Sequence, residues 1–308
     1  MMVMRRGIAL LLLVLVALQA AQLELIYSKI TFGWPIWKVD SDCKTYTIGV
    51  TYMNYDDASY CCGKIYQLDD DEVRIFKATS VNDDPIPLGK VSLDEDFDKI
   101  VAVSDGFVVC KDTTCVRYLD NGTVLWRATL QGSGLGDADL EYVRNAVAIP
   151  LEKGIVYLDP DTGSMISYVS FGREVTHTAA CGSLQALSLK GELGDSLIVL
   201  NLSDIEHPKV ILNRTRSWHI TTLDLSHDCR YLLVTSLQKV YVLRPTDGEV
   251  LASKMAAEGT YFITASNICK VKDDVYTIGV VAVDLNSLSS ITDLGGAWVA
   301  LYGYLLTQ

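Results

Sequence analysis

The sequence predicts an all-β chain built from a repeated four-stranded unit, and three observations predict it. From about residue 25 onward the helical period is missing, and short runs rich in Val, Ile, Leu, Tyr and Thr alternate with Gly, Asp, Asn and Ser turns. A pair of strands around a polar turn recurs as KIYQLDDDEVRIF at Leu68, CVRYLDNGTVLW at Leu119 and IVYLDPDTGSMI at Leu158. It returns as LIVLNLSDIEHPKVI at Leu200, VYVLRPTDGEVL at Leu243 and VVAVDLNSLSSI at Val283. These anchors are separated by 51, 39, 42, 43 and 40 residues, a mean of 43, which is the period of four-stranded propeller blades.

Each anchor is preceded by a second recurring piece: strand, tight polar turn, strand. It reads SHDCRYLLVTS from Ser226 and SDCKTYTIGVT from Ser41, with looser copies SNICKVKDDVYTIG from Ser266, VSDGFVVC from Val103 and VRNAVAIP from Val143. Joined, the two pieces give four strands per unit. The chain therefore reads as a single β-propeller domain over residues 22–308. Six anchors give six blades, and strand-like segments remain at both ends, LELIYSKITFGW and GAWVALYGYLLTQ. Propellers hide edge strands by closing the ring. The expectation is thus seven blades, the seventh shared between the termini, with six as the alternative.

LSHDCRYLLVTSLQKVYVLRPTDGEVL resembles a repeat of the YVTN and WD-like propeller families, and YLDNGTVLWRA and YLDPDTGSMI resemble the PQQ-like repeat. Together these resemblances cover most of residues 36 to 294 and imply the fold, not an activity. Two departures stand out: Cys229 replaces the expected turn glycine, and only Trp126 occupies the PQQ-like tryptophan position. A quinoprotein dehydrogenase would want more tryptophans in register and a cofactor-stacking site.

The N-terminus reads as an address. Arg5 and Arg6 precede an apolar run from Ile8 to Leu18 and small residues at Ala20 and Ala21, the order of a secretory signal. Residues 1–21 are expected to be a signal peptide, with a retained anchor as the alternative; either exports the body to the cell surface or medium. Net charge is −12, and no basic stripe is present, which argues against nucleic acid and anionic membrane surfaces. Eight cysteines suit an exported chain. Cys110 and Cys115 flank a polar turn in VVC-KDTT-CV and are the expected disulfide. Adjacent Cys61 and Cys62 have no assignable partners. Asn121, Asn201 and Asn213 head glycosylation sequons in or near predicted turns.

No local motif announces chemistry. Cys43, Cys181, Cys229 and Cys269 fall at one turn of their units, near one channel mouth, where disulfides compete with a thiolate metal site. The acidic clusters Asp69–Glu72, Asp83–Asp84 and Asp94–Asp98 lack the EF-hand pattern and read as solvated turns. No cofactor or metal is expected, and no nucleophile elbow, P-loop or zincin motif is present. The expected function is a binding or scaffold module for an extracellular protein or glycan. A propeller hydrolase or lyase, or a structural part of a surface layer, is the rival. A functional face would use the loops that lead into innermost strands: Arg173, His177, Trp218, His219 and Tyr261.

Overall fold

The computed structural model describes residues 21–33, 36–41, 47–51, 57–78, 85–131, 134–256, 259, 261–284, 286 and 297–307. The proposed leader therefore lies outside the described residues, apart from Ala21. The strands run β1 (Gln22–Gly33), β2 (Ile36–Ser41) and β3 (Thr47–Thr51), followed by blade after blade. The first blade is β4 (Asp57–Cys61), β5 (Lys64–Asp69), β6 (Glu72–Lys77) and β7 (Ile86–Ser92). The second is β8 (Lys99–Val103), β9 (Gly106–Lys111), β10 (Thr114–Leu119) and β11 (Val124–Thr129). The third is β12 (Glu141–Val143), β13 (Ala146–Leu151), β14 (Gly154–Leu158) and β15 (Met165–Ser170). The fourth is β16 (Val175–Cys181), β17 (Leu184–Leu189), β18 (Ser196–Asn201) and β19 (Lys209–Thr215). The fifth is β20 (Thr222–Leu225), β21 (Leu232–Thr235), β22 (Lys239–Leu243) and β23 (Val250–Met255). The sixth combines β24 (Tyr261–Lys272), β25 (Val275–Asp284) and β26 (Ala297–Thr307) with β1.

Among the described residues the count corrects the seven-blade expectation: six sheets have four strands, and β2 and β3 form a two-stranded sheet of their own. SDCKTYTIGVT spans this pair, a front piece with no back piece. Only five residues separate Thr51 from Asp57, too few for two further strands. The end segments assigned to a seventh blade are β1 and β26, which pair antiparallel within the sixth. The odd 51-residue interval is also explained. Leu68 lies on β5 and Val283 on β25, the second strands of their blades, whereas Leu119, Leu158, Leu200 and Leu243 lie on third strands.

Innermost strands follow one another in chain order, and β2 lies against both β24 and β4. The hydrophobic core is divided into clusters between successive blades. Tyr66, Leu68, Val73 and Ile75 of the first blade meet Ile100, Phe107, Val109 and Tyr118 of the second, and the same arrangement recurs between later pairs. A second or third strand packs on both faces, so β13 and β14 are buried at every residue. That is why AVAIPL and IVYL read as continuous apolar runs instead of alternating ones.

The outer strand of one blade packs on a glycine turn of the next. Trp126 of β11 lies over Gly163, where an added Cβ would come within 2.7 Å of the indole, and its Nε1 donates to Pro160 O at 2.8 Å. Gly163 has φ +71°, and Asp159 Oδ1 accepts from the Asp161 and Thr162 N–H groups at 2.8 and 2.9 Å. The D-x-x-T-G spacing thus makes a turn with no side chain where the tryptophan must lie. Leu212 against Gly248 and Val91 against Gly122 repeat the device.

Polar ties cross the same seams. Tyr276 Oη donates to Asp228 Oδ2 at 2.5 Å and Lys270 Nζ approaches the same oxygen at 3.0 Å. Burial pushes the Asp228 carboxyl upward, but hydrogen bonds from Tyr276, Lys270, Ser226 and the Arg230 N–H outweigh it and hold it well below the usual carboxylate range. The unfolded carboxyl titrates near pH 4. The stabilisation is therefore complete above about pH 4 and is lost as pH falls toward the depressed folded value. Urea melts from pH 5 down to pH 2 should show a shallower loss of stability for Asp228→Asn than for the parent.

Cys110 and Cys115 face each other in the β9–β10 register with Cα atoms 4.2 Å apart and form a disulfide. Its loop spans five residues, so loop-closure entropy assigns it about 2 kcal/mol. Cys115→Ser should lower the unfolding free energy read from urea melts by that amount in oxidising buffer and not at all in strong reductant. Cys181 pairs with Cys229 of the neighbouring blade, which leaves neither as a thiolate for metal, and Cys269 is also disulfide-bonded. Cys43 lies outside the described residues. The acidic turns are taken up in ion pairs, Asp69 and Glu72 with Arg74 and Asp94 and Glu95 with Arg127. Asp83–Asp84 is outside the described residues. Asn121 is exposed in its turn and Asn201 sits at the end of β18, but Asn213 is mid-strand on β19, a correction to its turn placement.

Candidate functional site

The inner strands expose one backbone edge to the axis, and its N–H groups need acceptors. Side chains of the preceding blade supply them. Asp57 Oδ2 accepts from Ile100 N at 2.9 Å, Ser59 Oγ from Ala102 N at 3.0 Å, and Asp224 Oδ2 from Ile268 N at 2.6 Å. Carboxylates are thereby drawn to the axis, where they line two cavities.

The first cavity, about 680 Å³, lies where the inner strands begin. Asp57, Asp98, Asp137, Asp139 and Asp195 contribute carboxylates, Lys99 and Lys190 ammonium groups, and Thr176, Thr178, Thr221, Thr222 and Ser266 hydroxyls. Lys99 Nζ donates to Asp137 O at 2.7 Å, and Lys190 Nζ meets Glu174 Oε2 at 2.8 Å. His177 and His219 both open onto this mouth. Asp195, only 4% exposed, accepts from Ile220 N at 2.7 Å and Gly191 N at 3.2 Å. Its Oδ1 also accepts from His219 Nδ1 at 3.1 Å. The buried carboxylate thus holds the imidazole through its Nδ1–H. His177 is half-buried, with Nδ1 3.2 Å from Thr176 Oγ1. Burial lowers its pKa below the ordinary imidazole value, against the nearby carboxylates.

Of the five residues picked from sequence, the structure brings His177 and His219 together and leaves the others elsewhere. Trp218 stacks on Tyr241 at 4.7 Å with rings 4° from parallel, beneath the Arg216 guanidinium. Arg173 is exposed and donates to Ser196 Oγ at 2.9 Å. Tyr261 starts β24 outside the cavity lining, and Phe262 takes the lining place. The sequence reading missed the axial carboxylates. Their signal was an acidic residue beginning or interrupting an apolar inner strand, as in DASYC and TLDL.

The second cavity, about 540 Å³, lies at the opposite ends of the inner strands and is lined by Tyr60, Cys61, Cys62, Tyr142, Cys181 and His227, among others.

No protein-family profile and no curated protein sequence matches the chain. Solved structures do. Hsv2 of Kluyveromyces lactis with one loop replaced by a Gly-Ser linker aligns with a TM-score of 0.57 at 11% identity, over 87% of this chain and 98% of that one. Hydrazine synthase of Kuenenia stuttgartiensis aligns with a TM-score of 0.56 at 10% identity, over 79% and 82%. The computationally designed Ika8 protein aligns with a TM-score of 0.55 at 15% identity, over 80% and 70%. These likenesses define the class: the chain has the β-propeller fold. They favour none of the YVTN, WD-like or PQQ-like repeat families over another.

Proposed function

We infer that the protein is a binding module of the cell exterior, one that seats an extracellular protein segment or glycan at the first channel mouth. The observation that carries this reading is the mouth itself: five carboxylates, two lysines, two oriented imidazoles and a row of hydroxyls around about 680 Å³. Such a bowl suits a ligand rich in hydrogen-bond donors. A propeller neighbour, Kluyveromyces lactis Atg21, is solved in complex with the coiled coil of Atg16, so this fold does serve as a partner platform. Export rests on the leader-like residues 1–21 and on the paired cysteines. The pairing of β1 with β26 would hold the ring shut around the site.

The test is a screen of purified protein against arrayed glycans and basic peptides, beside His177→Ala/His219→Ala and Asp195→Asn variants. Asp195→Asn keeps the shape but loses the charge that orients His219, and should weaken ligand binding tenfold or more. Binding undiminished in both variants would remove the site from the mouth.

One observation favours a second reading. A buried carboxylate bonded to an imidazole whose other nitrogen faces a cavity is the arrangement of a general base. On that reading the module is a sugar-acting hydrolase or lyase with His219 as the base. Turnover of any arrayed glycan, abolished by His219→Ala, would establish it.

A further inference from the structure

Cys61 and Cys62 are bonded to each other. Their adjacency alone sets the chemistry of that bond. A trans peptide holds neighbouring Cα atoms 3.8 Å apart, closer than the roughly 4.4–6.8 Å that an unstrained disulfide spans. A ring closed over one residue step also gains little from loop-closure entropy. Both effects make this bond easier to open than the other two described pairs. By contrast, Cys110–Cys115 is fully buried between blades, and Cys181–Cys229 spans 48 residues.

The turn that carries the pair points the same way. Cys62 and Gly63 join β4 to β5 with φ +57° and +84°, a two-residue hairpin with both central residues left-handed, the position of an Asn-Gly pair. Other left-handed turn positions mostly follow that preference, Asp70 at +50°, Asp112 at +51°, Asn145 at +57°, Gly182 at +55° and Asp273 at +42°, with Arg144 at +53° and the disulfide-bonded Cys229 at +58° as further departures. Cysteine has no hydrogen-bonding reason to occupy this conformation. A residue that breaks a local rule without a packing return marks a functional place. Packing gives Cys62 no return: it is exposed, whereas Cys61 leans on the core of the first seam. Both line the 540 Å³ second mouth.

We propose that Cys61–Cys62 is a thiol–disulfide exchange site at the second channel mouth, taking a low-molecular-weight thiol or dithiol. A ligand thiolate attacks the exposed Cys62 sulfur. The Cys61–Cys62 bond breaks, and Cys61 leaves as thiolate and takes a proton from water. With a dithiol, the second ligand sulfur then attacks the ligand sulfur of the mixed disulfide and expels Cys62. The ligand ends as a disulfide and the protein as a dithiol, two electrons and two protons having passed between them.

The test equilibrates the oxidised protein with graded ratios of reduced to oxidised dithiothreitol and of reduced to oxidised glutathione, followed by alkylation and peptide mass mapping. Cys61 and Cys62 should become alkylated at a reduced-to-oxidised ratio at least tenfold lower than either other mapped pair, and glutathione should appear on Cys62 first. A Cys62→Asn variant, which suits the turn and should fold at least as well, should accept no electrons at that low ratio. Reduction of Cys61–Cys62 together with or after the other pairs would overturn the proposal. So would finding either cysteine bonded to a different partner.

Discussion

Replacing Trp126 with Ala is expected to destabilise the fold by about 3–5 kcal/mol, a fall in Tm of roughly 10 °C for a chain of this size. The indole is 8% exposed and fills the seam between the second and third blades, with its N–H held by Pro160 O. Truncation leaves a cavity and an orphaned carbonyl together. The mirror experiment is Gly163→Ala, which places a methyl group 2.7 Å from the indole at a backbone φ of +71°. The two changes should not add. With the ring gone, Gly163→Ala retains only its conformational cost of about 1 kcal/mol, so a double-mutant cycle read by urea denaturation should show strong coupling. Additive effects would mean that the seam is not built on this contact.

The second large effect belongs to Cys181 and Cys229. This bond joins the end of β16 in one blade to the turn after β20 in the next, with Cα atoms 5.5 Å apart across 48 residues. Loop-closure entropy assigns about 4 kcal/mol to it, twice the value for Cys110–Cys115. The Cys181→Ser/Cys229→Ser variant should unfold at a correspondingly lower denaturant concentration in oxidising buffer. In strong reductant the parent should fall to the variant, whereas the Trp126→Ala deficit should persist. A variant as stable as the parent under oxidising conditions would show that blade packing alone fixes this seam.

The architecture was legible because the repeat is a physical necessity. Each blade must bury two faces, so its second and third strands read as continuous apolar runs, and each turn needs Asp, Asn or Gly at fixed places. The blade number was misread for an equally physical cause. SDCKTYTIGVT has the signature of an inner hairpin, and sequence similarity does not reveal that five residues later the next blade has begun. The candidate site was half legible. His177 and His219 followed from their position near the start of β16 and just ahead of β20, but the rule that picked them also picked Trp218 and Tyr261. Trp218 is turned into a stack with Tyr241, and Tyr261 stands one residue before the place that lines the mouth. Asp195 was not visible at all. It precedes a third strand, in the KGELGDS insertion, and reaches the axis only because the fold carries it to Ile220 and His219, 25 and 24 residues away.

The central claim is that the ligand occupies the mouth where the inner strands begin. Carboxylate footprinting tests it most directly: carbodiimide-coupled labelling of the protein alone and with the partner recovered from the glycan and peptide arrays, mapped residue by residue. The account predicts that labelling at Asp98 and Asp137, both exposed at the mouth, falls on binding, while Asp247 and Glu249 in the turn between β22 and β23 stay unchanged. Protection of Asp247 and Glu249 with Asp98 and Asp137 still fully labelled would contradict it and move the site to the rim.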